Sequence, residues 1–291
     1  MIHGSIVAIV TPFLNGEVDF EKLGELIEFQ IENGTHGIVP VGTTGESPTL
    51  SHKEHKEVIK FTVEAVNKRI PVVAGTGSNS TTEAVKLTEF SKNVGADAAL
   101  IVVPYYNKPT QSGLYKHFNQ IANEVDIPII LYNVPGRTVV NMLPETVARL
   151  ANDCKNIIGI KEASGSLEQA TEILNLCGKD FILLSGDDAL NYPLLSIGGK
   201  GFITVTANIA PGDVAQMYNS FSMNNIEEAK SIHYKLLPLN EVLFLESNPI
   251  PVKAALNLMG FISSEIRAPL YPLSEDNISK LKTALNEYGL I

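Results

Sequence analysis

The sequence predicts an α/β fold, a (β/α)8 TIM barrel with a C-terminal helical extension, on three observations. Eight short apolar runs recur between residues 5 and 206, and most are continuous rather than alternating in polarity, as in parallel strands covered on both faces. Segments with helical periodicity separate the runs and are long enough to form crossover helices. From about residue 212 the strand signal stops, and the remaining segments read as helices. The eight runs are SIVAIV (5–10), GIVPV (37–41), PVVAG (71–75), AALIVV (98–103), PIILYN (128–133), NIIGIK (156–161), FILLSG (181–186) and GFITVT (201–206).

Three of the intervening helices begin at residues that can cap them. Asp19 precedes a helix with apolar residues on one face, which is predicted to end at Gly34. SHKE (51–54) and STTE (80–83) both match the capping-box pattern, in which a serine caps the helix and a glutamate three residues later binds the serine's N–H. These signals predict that helices alternate with the strands along the chain.

Eight strand–helix units close most economically into a barrel. A doubly wound open sheet is the alternative, but VTPFLNG follows the first strand where the glycine-rich GxGxxG motif of that fold would stand. We therefore predict a catalytic barrel over residues 1–224 and a C-terminal helical domain over residues 225–291.

The composition limits the classes of function. The 291 residues carry a formal net charge of −10, which argues against nucleic acid or an anionic membrane as the main partner. No apolar segment approaches membrane length, and the N-terminus lacks the basic region of a secretory signal. The two cysteines, Cys154 and Cys177, offer neither a disulfide framework nor metal-ligand spacing. We expect a cytoplasmic protein without a metal site.

Lys161 stands at the carboxyl end of the sixth predicted strand, where barrel enzymes carry their chemistry. Because side chains alternate along a strand, Gly159 and Lys161 are predicted to face the barrel interior, with the glycine leaving room for the long side chain. Ile158 and Ile160 would then face the helices. Burial disfavours the charged form of an amine, and a neutral amine can attack a ketone to form a Schiff base. The alternative is a lysine that reaches the rim and pairs with Glu162.

Other side chains with suitable chemistry follow neighbouring strands. Tyr132 ends the fifth strand and could shuttle a proton. Arg137, in the loop VPGRT, could hold a carboxylate through two N–H groups. Thr43 and Thr44 lie between two glycines and could present hydroxyls and backbone N–H groups to a carboxylate. Each residue also has an interpretation without a function. Tyr132 could be a core tyrosine, Arg137 a surface arginine, and Thr43 and Thr44 part of an ordinary tight turn.

Two features argue against phosphate and metal chemistry. Strand seven ends in Gly186-Asp187-Asp188, whose carboxylates would repel a phosphate near the position where barrels usually bind one. His52 and His55 lie three residues apart on a helix, but no third ligand has matching spacing. We expect two exposed histidines there rather than a metal site.

Seven motifs together resemble the dihydrodipicolinate synthases, a family of the pyruvate-dependent class I aldolase superfamily. The resemblance covers essentially the whole chain. Sister families, the N-acetylneuraminate lyases and the 2-keto-3-deoxy-sugar-acid aldolases, resemble the chain less well at the arginine of VPGRT. A non-catalytic barrel that binds an oxo acid or amino acid is a further alternative. The motifs are GSIVAIVTPF, GTTGESPTL, AGTGSN, PYYNKP, YNVPGRT, IKEASG and NPIPVKAAL.

The resemblance implies a Schiff-base aldol condensation of pyruvate with L-aspartate 4-semialdehyde, followed by cyclisation, in the diaminopimelate pathway to L-lysine. Lys161 would form the imine, and no metal or organic cofactor would be required. Tyr132, Thr43 and Tyr106 would relay protons. Tyr106 would cross a tight dimer interface into the neighbouring subunit's site, within a homotetramer that is a dimer of dimers.

The resemblance also implies the residues that bind ligands. Thr44 would bind the pyruvate carboxylate and Arg137 the semialdehyde carboxylate, while Gly186 and Ile203 would line the pocket through their backbones. L-lysine would act as a feedback inhibitor at the dimer interface. If the second capping box forms, Glu83 is occupied and less free to bind this ligand. The residues implied for the lysine site are Ser47, His52, His55, Asn79, Glu83 and Tyr105.

Overall fold

The computed structural model describes residues 2–291. Its eight barrel strands alternate with helices along the chain, as predicted. The strands are β1 (Gly4–Ala8), β2 (Gly37–Val39), β3 (Val73–Gly75), β4 (Ala98–Val102), β5 (Ile129–Asn133), β6 (Ile157–Glu162), β7 (Ile182–Ser185) and β8 (Gly201–Thr204). The barrel helices are α1 (Phe20–Glu32), α2 (His52–Val66), α3 (Thr81–Val94), α4 (Gln111–Glu124), α5 (Pro144–Asp153), α6 (Leu167–Cys177), α7 (Asn191–Ser196) and α8 (Pro211–Ser222). The extension contains α9 (Ile226–Val242), α10 (Ile250–Leu258) and α11 (Glu275–Tyr288). Short elements are a hairpin of Phe13–Leu14 with Glu17–Val18, a helical turn Pro135–Thr138, and 3-10 turns at Ser47–Thr49, Asp188–Leu190 and Thr206–Asn208.

The eight strands form one parallel sheet that closes on itself. Their order is β2-β1-β8-β7-β6-β5-β4-β3, with each neighbouring pair parallel. An isolated parallel bridge between Ile38 and Val72 joins the two ends of this order. The Gly75 N–H adds a bond of 3.1 Å to the Pro40 carbonyl. The predicted (β/α)8 barrel is confirmed, and the open-sheet alternative is wrong.

The helix starts follow the predicted capping signals at two of three positions. Asp19 caps α1 by accepting a hydrogen bond from the Lys22 N–H at 3.0 Å. The capping box of Ser51 and Glu54 is complete at the start of α2. The second predicted box is wrong, because the Ser80 N–H binds the Ser78 hydroxyl at 3.1 Å and the Ser80 side chain makes no capping bond. A nearby hydroxyl thus supplies what the glutamate of the box would have supplied.

Apolar side chains pack on both faces of the strands, inside the barrel and between the strands and the helices. Ile6, Val39 and Ile130 belong to a cluster inside the barrel. A second layer lies between strands and helices, and it also includes α9 residues such as Leu239 and α10 residues such as Leu256, packed in one cluster with the barrel strands. The extension therefore buries its apolar face on the barrel, which brings its polar residues near the barrel mouth. None of the helices within residues 2–291 has the length and apolar character needed to cross a membrane.

Candidate active site

Lys161 lies at the carboxyl end of β6, directly beside Tyr132 on β5. The two residues are partners in the parallel register, and the Lys161 Nζ lies 4.3 Å from the centre of the Tyr132 ring. Both are nearly buried, with 7% and 8% of their surface exposed. Within residues 2–291, the Lys161 ammonium forms no ion pair. A buried amine beside an aromatic face, without a counter-ion, is a candidate nucleophile.

Glu162 points away from Lys161, so the predicted alternative of a Lys161–Glu162 pair is wrong. The Glu162 carboxylate accepts hydrogen bonds from the Asn133 side chain, the Ser164 N–H and the Gln169 side chain. These partners lie on the helix side of β6, as strand alternation requires. The one carboxylate adjacent in sequence is thereby committed elsewhere.

The interior face of β6 departs from simple alternation. The register with β5 shifts so that Ile129 pairs with Ile157 and Ile130 pairs with Gly159. Ile158 is the extra residue of this bulge and packs against the interior cluster, so its predicted position on the helix face is wrong. Ile160 does lie on the helix face, in the outer layer.

The glycine that makes room for Lys161 is Gly186, not Gly159. A Cβ atom at Gly159 would lie 2.3 Å from the Ile182 carbonyl oxygen, so the close approach of β7 requires that glycine. At Gly186 a Cβ atom would lie 2.8 Å from the Lys161 Cε. Gly186 therefore permits the extended path of the lysine side chain.

The threonine loop after β2 is held in a compact conformation. Val41 and Glu46, which bracket it, adopt left-handed backbone with φ of 48° and 54°. Such conformations persist when the surroundings determine them. Here Glu46 is fully buried and forms an ion pair with Lys253 of α10 at 2.5 Å. Thr44 is 2% exposed, whereas Thr43 is half-buried.

The predicted substrate residues converge on one cavity of about 450 Å³ at the barrel mouth. It is bounded by strand ends and by the extension, with Asn240, Glu241 and Asn248 on the latter side. The cavity adjoins a second one of about 230 Å³ that Ser47 and Tyr105 line. The predicted residues at the larger cavity are Lys161, Tyr132, Thr43, Thr44, Arg137, Gly186 and Ile203.

The two carboxylates after β7 have different environments. Asp188 is buried and accepts hydrogen bonds from the Val205 and Thr206 N–H groups, at 2.9 and 3.1 Å. It therefore fixes the loop after β8. Asp187 lines the cavity, and burial raises the pKa of its carboxyl above the ordinary value. A negative or protonatable group at this point suits an amino-bearing substrate better than a phosphate.

Tyr106 does not border either cavity. It is 92% exposed, and its backbone is left-handed with φ of 70°. This turn directs it outward while the neighbouring Tyr105 borders the smaller cavity. Within a single chain, Tyr106 is therefore separate from the other predicted relay residues.

The residues predicted for the lysine site form a connected group. Glu83 pairs with His52 at 2.9 Å and accepts a hydrogen bond from the Ser78 hydroxyl. The Asn79 amide donates to the Tyr105 carbonyl at 3.2 Å. Burial, followed by the nearby Glu83 carboxylate, raises the pKa of Tyr105. Because the Ser80 capping box does not form, Glu83 is available to this group.

His55 differs from the expected exposed histidine. It is 5% exposed, and burial lowers the pKa of its imidazole. Its Nε2–H donates to the Gly75 carbonyl at 2.8 Å, which leaves Nδ1 as the acceptor for the Ser47 hydroxyl at 3.4 Å. His52 is exposed, as expected. The His55 ring therefore connects the Ser47 side chain to the end of β3 through these two hydrogen bonds.

Several residues of the extension that reach the site were not predicted as site residues, and three of them bear on its chemistry. Asn248 and Glu241 line the cavity, and Lys253 holds the threonine loop through Glu46. Asn248 and Lys253 both fall in the motif NPIPVKAAL. An asparagine and a lysine within an otherwise apolar helix start were the signal that could have found them.

The fold and the site together define a (β/α)8-barrel enzyme of the aldolase-type lyases, with a lysine nucleophile as its candidate reactive group. The family model described as the Dihydrodipicolinate synthetase family matches residues 1–288. The chain belongs to this family.

Similar proteins agree along their whole length. The chain is 60% identical over 291 residues to the 4-hydroxy-tetrahydrodipicolinate synthase of Geobacter sp. strain M21, covering 100% of both. It is similar to the chloride-inhibited dihydrodipicolinate synthase of Acinetobacter baumannii complexed with pyruvate, with 49% identity, 100% of both chains covered and a TM-score of 0.98. The corresponding enzyme of Cyanidioschyzon merolae, solved with lysine bound, shows 44% identity, 99% of both chains covered and a TM-score of 0.96.

Proposed function

We propose that the protein catalyses the 4-hydroxy-tetrahydrodipicolinate synthase reaction, the condensation of pyruvate with L-aspartate 4-semialdehyde and its cyclisation, on the diaminopimelate route to L-lysine. One observation carries the proposal: the buried Lys161 amine, without an ion pair in residues 2–291, borders the cavity beside Tyr132, with Arg137 also lining it. The full-length similarity to synthases supports the same reaction. The pyruvate complex of the A. baumannii relative supports the first substrate.

The first half of the reaction forms an enamine. The neutral Lys161 amine attacks the ketone carbon of pyruvate, and the former ketone oxygen leaves as water once the Tyr132 and Thr43 hydroxyls have moved protons to it. Thr44 binds the pyruvate carboxylate, while the backbones of Gly186 and Ile203 line the pocket. Loss of a methyl proton then moves an electron pair toward the iminium nitrogen and leaves a nucleophilic carbon.

The second half joins the two substrates. The enamine carbon attacks the aldehyde carbon of the semialdehyde, whose carboxylate Arg137 holds, and the aldehyde oxygen takes a proton to become a hydroxyl. The amine of the same substrate then attacks the imine carbon. The ring closes, and the bond to Lys161 breaks with return of a proton to its nitrogen.

The exposed Tyr106 supports an assembly in which subunits complete one another's sites. We propose a homotetramer of two tight dimers, in which Tyr106 supplies the last hydroxyl of the relay to the neighbouring subunit. Tyr106 is 92% exposed in the single chain, which is unusual for a large aromatic side chain without a partner.

Reductive trapping tests the proposed chemistry. Borohydride added with pyruvate is expected to fix a three-carbon acid on one lysine, because reduction converts the reversible imine into a stable amine. Peptide mass mapping should assign the modification to Lys161. Omission of pyruvate is the control. A protein that turns over but carries the modification elsewhere, or not at all, would contradict the mechanism.

A second proposal concerns inhibition by L-lysine. The lysine-bound C. merolae relative supports it, as does the group formed by Glu83, His52 and Tyr105. L-lysine would bind with an ammonium group near the Glu83 carboxylate, which lies close to Tyr105. Ser47 and Tyr105 in turn border a cavity next to the active site. The two cavities share lining residues, among them Thr43 and Tyr132, so a ligand in the smaller cavity could affect the catalytic residues directly.

Glu83→Gln is expected to raise the inhibition constant for L-lysine by about ten-fold or more, because a hydrogen bond between two charged groups is lost. Inhibition is measured against each variant's own uninhibited rate. Glu89→Gln, an exposed position on the same helix, is the matched control. Unchanged inhibition in Glu83→Gln would exclude this carboxylate from the inhibitor site.

A further inference from the structure

Asn248 connects two parts of the candidate site from the extension. It precedes α10, is 6% exposed and lines the larger cavity. Its side-chain Nδ2 donates to the Thr44 Oγ1 at 3.0 Å. Its backbone carbonyl accepts a hydrogen bond from the Arg137 guanidinium at 3.1 Å. One residue therefore touches both groups to which the proposed reaction assigns a substrate carboxylate.

The contact with Thr44 determines which way that hydroxyl can donate. A hydroxyl has one O–H donor and two acceptor positions. Within residues 2–291, the Thr44 Oγ1 takes part in this hydrogen bond alone, and it takes part as the acceptor. Its O–H is therefore uncommitted and available to a ligand in the cavity.

We propose that Asn248 is a positioning residue for the substrate-carboxylate end of the site, acting through the Thr44 hydroxyl. This inference rests on the proposed function, since it takes pyruvate as the ligand. By occupying an acceptor position of Thr44, the Asn248 amide keeps the Thr44 O–H directed toward the pyruvate carboxylate. The carboxylate then meets a donor that is already oriented before it binds, which lowers the ordering cost of binding.

A stability role alone does not account for an amide at this position. The Asn248 Oδ1 is buried and has no hydrogen-bond partner within residues 2–291. A buried acceptor without a partner is destabilising. An asparagine that carries this cost while orienting a site hydroxyl is better explained by ligand binding than by packing.

The two contacts of Asn248 use different atoms, which separates their effects. Substituting the side chain removes the bond to Thr44 but retains the backbone carbonyl that faces Arg137. The proposal therefore predicts a change in pyruvate binding with a much smaller change in semialdehyde binding. A general distortion of the mouth would weaken both.

Steady-state and trapping measurements on Asn248→Asp and Asn248→Ala test this. In Asn248→Asp the new carboxylate accepts a hydrogen bond from the Thr44 O–H, which is then no longer available to the ligand. The pyruvate concentration at half-saturation is therefore expected to rise about ten-fold or more. In Asn248→Ala the hydroxyl is free to rotate, and the expected rise is about three- to ten-fold. The KM for the semialdehyde should stay within about two-fold in Asn248→Ala, which adds no charge to the cavity that Arg137 also lines. Half-saturation does not depend on the fraction of active enzyme, so a reduced yield of folded protein leaves the comparison valid.

Three further variants complete the test. Asn123→Asp, exposed near the end of α4, adds the same charge at a distant position and should leave both constants unchanged. Arg137→Ala should show the reverse pattern, with the semialdehyde step affected more than pyruvate trapping. In a Thr44→Val background, adding Asn248→Ala should produce no further loss of pyruvate binding, because the group through which Asn248 acts is absent.

The outcomes separate this inference from the proposed function. If the native protein is not trapped at Lys161 by pyruvate and borohydride, the proposed function is wrong. If the native protein is trapped but both Asn248 variants retain its pyruvate dependence, only the positioning role is wrong. Equal rises for both substrates in Asn248→Ala, or a full effect of Asn248→Ala in the Thr44→Val background, would also overturn the positioning role.

Discussion

Lys161→Met is expected to lower turnover by at least about 10⁴-fold, since removal of a covalent nucleophile leaves only binding and electrostatic assistance. Methionine matches the length of the lysine stem and fits the path that Gly186 leaves open. Trapping by pyruvate and borohydride should disappear with the activity. Turnover is measured as the rate of product formation in a coupled assay. Trapping is measured as the mass of the protein after borohydride reduction.

The same substitution should not destabilise the fold. Lys161 is 7% exposed and has no ion pair within residues 2–291, so its removal leaves no buried carboxylate uncompensated. A melting temperature equal to or above that of the native protein is expected. If Lys161→Met retains turnover within ten-fold, the lysine is not the nucleophile. If it melts well below the native protein, its side chain has a structural role that the contacts do not indicate.

Lys253→Met is expected to have the opposite consequence, a loss of about 3–5 kcal/mol in the free energy of unfolding. Lys253 is 2% exposed, and its Nζ binds Glu46 at 2.5 Å and the Thr11 carbonyl at 3.1 Å. Burial lowers the pKa of Lys253, an effect that the Glu46 carboxylate opposes. Without the ammonium, the buried Glu46 carboxylate loses its counter-ion. Urea unfolding followed by circular dichroism measures the change.

Two comparisons define the cause of that destabilisation. The double variant Glu46→Gln/Lys253→Met should recover much of the loss, because neither charge then remains buried alone. Lys282→Met, on the exposed side of α11, should change stability by less than about 0.5 kcal/mol. A Lys253→Met variant as stable as Lys282→Met would show that the ion pair contributes no net stability.

The parts of the fold that follow local rules were predictable. All eight strands coincide with the predicted apolar runs, most of which are continuous because strands covered on both faces have no polar side to present. The end of each strand then determines which residues reach the mouth, and this rule alone selected Lys161, Tyr132 and the threonine loop. These inferences need only the pattern of apolar residues and the location of barrel active sites at the carboxyl ends of the strands.

The predictions that were wrong are those in which a hydrogen bond or a strand register outside the expected pattern replaced the expected one. The bulge at Ile158 depends on the register between β5 and β6; the adjacent Gly159 is compatible with a bulge but does not specify the shifted register. The missing second capping box depends on the Ser78 hydroxyl, which reaches the Ser80 N–H first. His55 is buried because α2 turns it toward the Gly75 carbonyl. The bulge and the burial of His55 are decided by residues distant in the chain, whereas the capping box is lost to a competing hydroxyl two residues away.

The sequence by itself determined the barrel, its order of elements and the identity of the candidate nucleophile, because these depend on alternation, strand ends and motif resemblance. Only the tertiary structure distinguished the two buried lysines. Lys161 and Lys253 both lie in apolar segments, but Glu46, more than two hundred residues away in the chain, neutralises only Lys253. Packing of the extension on the barrel also brought Asn248 between Thr44 and Arg137. The physical reason is that charge compensation and hydrogen-bond direction depend on distances in space, which separation along the chain does not determine.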